Sequence, residues 1–229
     1  MCGRFTLRTP TETIADLFEG VEFPELTANF NIAPTQSVAA IRQPALPTSK
    51  EFSWLRWGLL PSWATDIKMG ARMINARCET IQEKPAFRAA FKKRRCLILA
   101  DGFYEWQATP TGKQPIYIYR KDEQPFGMAG LWETNSQIAS TPMETCTVIT
   151  TTANPLVAPI HDRMPVILPA EHFEQWLDST FEDATALQSL LKPYAAEKMS
   201  TRTVSRNVNK VGYNQADCLA PTATQGELF

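Results

Sequence analysis

The sequence begins Met1-Cys2-Gly3-Arg4-Phe5, and Cys2 is the residue with the most chemistry open to it. Initiator methionine is normally trimmed before a small residue, so the working protein is expected to begin at Cys2, with an amine and a thiol on adjacent carbons. With ordinary pKa values of about 7.7 to 8.0 and about 8.5, both groups are available as nucleophiles near neutral pH. Such a 1,2-aminothiol condenses with an aldehyde through its amine and closes a five-membered thiazolidine through its sulfur, turning a reversible imine into a durable adduct. The same terminus also suits acyl transfer with the α-amine as base, and a small buried residue opening a strand would look no different.

Two other stretches place titratable groups where chemistry needs them. In Asp101-Gly102-Phe103-Tyr104-Glu105-Trp106, Glu105 lies between aromatics directly after an apolar run. A carboxylate there is either paired or raised in pKa, and a raised carboxyl suits general acid or base work; a surface glutamate is the alternative. In Ile160-His161-Asp162-Arg163-Met164-Pro165, Pro159 and Pro165 constrain a loop in which Asp162 and Arg163 follow a histidine. An imidazole held this way can pass a proton near neutrality, or it can simply fill a hydrogen-bond site.

Asn75, Arg77 and Glu79 alternate through residues 73–80 and share one face if that chain is extended. Trp57 and Trp63 bracket a loop punctuated by Gly58 and Pro61. They form either a local apolar cluster or stacking platforms for bases or sugars, and the basic flanking residues suit the second.

The elements that must position these groups follow from periodicity. Strands are expected at 3–7, 37–42, 52–57, 96–100, 115–120, 126–131, 145–150 and 166–168, and helices at 11–18, 85–94, 170–177 and 184–191. Thr11 is a candidate N-cap and Gly20 a stop for the first helix. Residues 31–34 read as a loop, Pro44 and Pro47 as a turn, 204–209 as extended chain, and 222–229 as a flexible tail.

Composition bounds the rest. A chain of 229 residues with 44% hydrophobic content supports a full core in one large or two small domains. Five cysteines, an odd number without regular spacing, read as reduced thiols of an intracellular protein, since no signal-like apolar run follows Met1. No stretch is long enough to span a membrane. With only His161 and His172 and no Cys-x-x-Cys, neither a metal nor a cofactor is expected.

The net charge of −1 hides a lopsided distribution. Residues 56–95 carry ten Lys and Arg against three acids, a local net of +7, whereas 171–197 carry six acids and one Lys, a net of −5. One cationic and one anionic face would suit a polyanion partner. A solvated helix face would account equally for Lys92-Lys93-Arg94-Arg95.

Taken together and in this order, MCGRF, NIAPTQ, WGLLPSW, INARCET, the Phe87-Arg88 helix, ADGFYEW, IHDRMP and VSRNVN resemble the SRAP family, the SOS response-associated peptidases, over residues 2–221. The resemblance implies one α+β domain with a mainly antiparallel, barrel-like β core surrounded by helices. It implies binding of single-stranded DNA and of single-strand to duplex junctions, with Cys2 capturing the ring-opened aldehyde of an abasic site. Asn75 would position the Cys2 terminus and the opened sugar, Glu105 would move protons, and His161 would assist ring opening and imine hydrolysis. Arg4, Arg77 and Arg163 would contact phosphates, and Thr150 would line the site. Pro34, Trp57, Trp63 and Trp106 would hold or kink the strand. A monomer is expected.

Two other classes stay open at this point. Class II glutamine amidotransferases also begin Met-Cys-Gly, so an N-terminal-nucleophile hydrolase is the alternative, although no arrangement here is obviously built to hold a glutamine. A DNA-binding module without chemistry is the third.

Overall fold

The computed structural model describes residues 2–44 and 49–222. Its strands are β1 (Phe5–Leu7), β2 (Asn29–Ile32), β3 (Ser37–Arg42), β4 (Glu51–Trp57), β5 (Asn75–Arg77), β6 (Arg95–Ala100), β7 (Gly102–Thr109), β8 (Gly112–Arg120), β9 (Phe126–Asn135), β10 (Met143–Thr152), β11 (Arg163–Pro165), β12 (Ile167–Leu168) and β13 (Met199–Thr203). The helices are short: α1 (Thr11–Ala15), α2 (Lys68–Ala71), α3 (Arg88–Lys93), α4 (Phe173–Leu177) and α5 (Ala184–Ser189). None of the described helices is long and apolar enough to cross a membrane.

Five strands close a barrel. β4, β3, β6 and β9 pair antiparallel in that order, β9 pairs antiparallel with β10, and β10 returns to β4 in parallel through Thr145↔Arg56 and Cys146↔Trp57. Closure satisfies backbone groups that an open edge would leave unpaired. Every residue of β6 is buried, because α4 covers its outer side, with Trp176 Nε1 donating to Cys96 O at 2.9 Å. A strand covered on both faces reads as a continuous apolar run, as 96–100 does. Past the end of β4, β5 takes over the same edge of β10, pairing Val148↔Asn75 and Thr150↔Arg77.

A second sheet runs β13-β8-β7-β1-β2 and carries the start of the chain. β1 lies inside it between β2 and β7, pairing Phe5↔Ile32 on one side and Phe5↔Phe103 and Thr6↔Gly102 on the other. Buried Asp101 fixes this segment by accepting from Arg8 N at 2.6 Å and Thr9 N at 3.0 Å, with the Thr6 hydroxyl on its other oxygen. Gly102 is required here, since a Cβ on it would lie 2.2 Å from the Tyr117 ring.

The α+β, barrel-centred architecture expected from the sequence is the one found, and the departures are local. β2 replaces the start of the expected 31–34 loop, and β5 ends at Arg77, so that 78–80 is a 3-10 turn rather than extended chain. Helix 11–18 stops at Ala15, and Thr11 does not cap it: Pro10 occupies that position and Thr11 Oγ1 accepts from Leu26 N at 2.8 Å. The expected 170–177 helix opens as a 3-10 turn, while α5 is capped by Asp183 accepting from Thr185 N and Ala186 N. The extended chain expected at 204–209 is instead a 3-10 turn over Arg206–Asn209. Pro47 and residues 223–229 lie outside the described residues, as does Met1.

Candidate functional site

Beyond its last pair with β7, the start of the chain keeps close to that strand: Tyr104 N donates to Arg4 O at 2.9 Å. From Glu105 onward this edge of β7 has no strand pairing among the described residues. A cleft of about 500 Å³ opens there, lined by Glu105, Trp106, Lys113, His161 and Asn209. Glu105 and Trp106 point to opposite sides of the hairpin yet border one cleft, because the cleft lies against an open strand edge.

Cys2 is fully buried, and Asn75, at the start of β5, holds it by donating from Nδ2 to Cys2 O at 2.8 Å. Burial pushes the Cys2 thiol well above the ordinary range, and the negative charge of Glu105 adds to the rise. Glu105 is itself only 3% exposed, and burial raises its carboxyl. His161 is half-buried at the end of the β10–β11 loop. Its Nδ1 accepts from Arg163 N at 3.0 Å and lies 2.9 Å from Asp162 Oδ1. The two contacts need Nδ1 in different forms, without a hydrogen to accept from Arg163 N and with one to donate to Asp162. The tautomer that accepts at Nδ1 carries its hydrogen on Nε2, whereas any ring with hydrogen on Nδ1 donates it to Asp162.

Trp106 is fixed from behind. Its Nε1 donates to Asn209 Oδ1 at 2.7 Å, and the Arg4 guanidinium lies 5.9 Å from its ring. Arg4 is in turn anchored, donating to Asn31 Oδ1 at 2.7 Å and Val208 O at 2.8 Å. The other arginine pair sits where β5, β10 and β11 meet. Arg163 grips Glu79 through both guanidinium nitrogens at 2.5 and 2.9 Å and donates to Thr150 O at 2.7 Å. That grip draws the Glu79 carboxyl below its usual range. Thr150 is buried between them, while Arg77 is exposed.

The aromatic loop divides. Trp63 is 56% exposed and Pro34 half-buried, but Trp57 is in the core, edge-on to Phe5 with ring centroids 5.1 Å apart. As the inward-facing end of a barrel strand, with Nε1 donating to Ile74 O at 2.8 Å, Trp57 has no face left for a base. The basic run at the end of α3 departs likewise from a free phosphate-binding end. Arg95 is buried among carbonyl groups, Arg94 pairs with Glu133 at 2.7 Å, and Lys93 pairs with Glu182.

A family model described as SOS response associated peptidase (SRAP) matches residues 1–211. The chain belongs to the SRAP family. Among SRAP relatives, Abasic site processing protein YoaM of Bacillus subtilis is 44% identical over 223 residues, covering 96% of this chain and 97% of that protein. Abasic site processing protein YedK of Escherichia coli is 30% identical over 236 residues, covering 96% of this chain and all of its own length. A crystal structure of a protein from Bacteroides thetaiotaomicron aligns with a TM-score of 0.86 at 28% identity, covering 97% of this chain and 100% of that one. In this SRAP chain, sequence reasoning missed Lys113 and Asn209 as cleft residues. Asn209 closes the VSRNVN motif but had no assigned role, and Lys113 reaches the cleft only through the hairpin register, which no local pattern announces.

Proposed function

We propose that the protein binds single-stranded DNA, including single-strand to duplex junctions, and captures abasic sites as a covalent crosslink on Cys2, protecting them in the response to DNA damage. The names of its relatives support abasic-site processing. The observation that carries the chemistry is Cys2 itself, held through its carbonyl by Asn75 and lying in the field of a buried Glu105.

With Met1 removed, the Cys2 amine adds to the C1 aldehyde of the opened sugar. Glu105, raised and therefore able to hold a proton, delivers it to the hydroxyl that leaves as water, giving the imine. The Cys2 sulfur then adds to the imine carbon as its proton passes to nitrogen, closing the thiazolidine with one water lost overall. A thiol kept protonated by burial leaves the first step to the amine. His161 assists ring opening, and in reversal it activates the water that hydrolyses the imine.

Arg4, Arg77 and Arg163 are assigned to phosphates near the lesion; of the three, Arg77 reaches solvent without giving up a protein contact. Trp63, Trp106 and Pro34 flank the strand, Thr150 lines the site, and Trp57 acts through the loop it anchors. The protein works as a monomer.

The test is Cys2→Ala. It is expected to lose the stable crosslink to an abasic oligonucleotide while keeping a weaker imine that borohydride traps, because the amine survives without the thiol. An unchanged stable adduct in that variant would overturn the thiazolidine step.

A further inference from the structure

Lys113 borders the cleft and has no part in the chemistry above. It lies on β8, paired Ala108↔Lys113, while Trp106 pairs with Pro115 two residues along. Residues two apart on a strand share a face, so Lys113 and Trp106 are diagonal cross-strand neighbours, with backbones about 7–8 Å apart and within reach of a long side chain. Besides Lys113, the titratable groups lining the cleft are Glu105, whose carboxyl burial raises, and His161, whose Nδ1 faces Arg163 N and Asp162.

Two of the arginines assigned to phosphates are already committed. Arg4 is anchored to Asn31 and Val208, and Arg163 to Glu79 and Thr150. Drawing either onto a phosphate would break a buried contact. Lys113 is exposed and makes no ion pair among the described residues. We infer that Lys113 binds a backbone phosphate of the DNA strand lying on Trp106, so that the β7–β8 hairpin sets the strand's path across Glu105. The inference rests on the DNA-binding reading. Its physical basis is counterion release: an exposed ammonium without a partner gains a phosphate and gives up no protein contact.

The experiment measures single-strand affinity across a salt series, and crosslinking rate against DNA concentration and pH, for the full chain and for Lys113→Ala and Lys113→Arg. Lys113→Ala should lower the slope of log affinity on log salt by about 0.7, the value for one phosphate on a single strand. Its loss should fall on the half-saturating DNA concentration rather than on the rate at saturation, and Lys113→Arg should restore the slope. An unchanged slope in Lys113→Ala overturns the inference. So does an unchanged slope with a shifted pH profile, which would make Lys113 an electrostatic partner of Glu105. A parent protein that neither binds nor crosslinks DNA defeats the DNA reading itself, and this inference with it.

Discussion

Glu105 answers to two opposed demands. Burial holds its carboxyl above the ordinary value of 4.5, which suits proton transfer and weakens the fold at neutral pH. The sign follows from linkage. A carboxyl raised in the folded state contributes stability that is fully present below its unfolded pKa and lost as pH rises through its folded pKa. Glu105→Gln removes that loss. At about pH 4 variant and parent should be equally stable, since both carry a neutral group there. At about pH 7.5 the variant should be the more stable by about 0.5 to 2 kcal/mol, in the range of single stabilising changes at strained functional positions. Crosslinking by the same variant should slow by about ten- to a thousand-fold. Denaturant unfolding at both pH values, with the crosslinking rate, checks the pair of outcomes. A variant less stable than its parent at neutral pH would mean that the Glu105 charge stabilises the fold, against a role as proton donor.

At the scale of elements, Arg95 shows how a charge run can mislead. Its guanidinium donates to Trp176 O at 2.7 Å, Phe91 O at 2.9 Å, Lys92 O at 2.5 Å and Phe181 O at 3.2 Å, and to Asp178 O. It closes the end of α3 and ties it to α4. Burial lowers its pKa to about 10, which still leaves it charged at neutral pH. Arg95→Met would strand several buried carbonyls and should cost more than about 3 kcal/mol, whereas exposed Lys92→Met should stay within about 0.5 kcal/mol. Chemical denaturation of the two variants separates these outcomes, and equal stabilities would refute the tie. Nothing in Lys92-Lys93-Arg94-Arg95 marks one of the four as buried, because that depends on where α4 ends. The apolar run 96–100 and the alternation of 52–57 were legible because each strand writes its own burial. β2 and β5 were not, since their pairing is set by partners far along the chain, Phe5↔Ile32 and Thr150↔Arg77. The Asp101–Trp106 stretch drew notice for its chemistry, yet it belongs to a hairpin strand that runs on to Thr109.

For the whole molecule, the segments that look like opposite charged faces in a residue count partly meet. Lys93 pairs with Glu182, and Gln188 Nε2 donates to Cys78 O at 2.9 Å, bringing 171–197 against 56–95. The cationic surface left over consists of residues such as Arg77, Lys84, Arg88 and Lys92. The four residues proposed for the chemistry, Cys2, Asn75, Glu105 and His161, stand out in the sequence by residue type and by the motifs that hold them. Asn31 and Asn209, which hold Arg4 and Trp106, and Lys113 at the cleft do not, because their places depend on register and on a 3-10 turn formed only in the folded chain. The proposed capture needs a free Cys2 amine and one covalent event. Intact mass spectrometry of the full protein before and after incubation with an abasic oligonucleotide reads both. The predicted result is a protein lighter than the full sequence by one methionine residue, which gains the mass of one oligonucleotide less one water and gains nothing from the undamaged strand. A chain that keeps Met1 and still forms the adduct, or one that lacks Met1 and gains no mass, would contradict it.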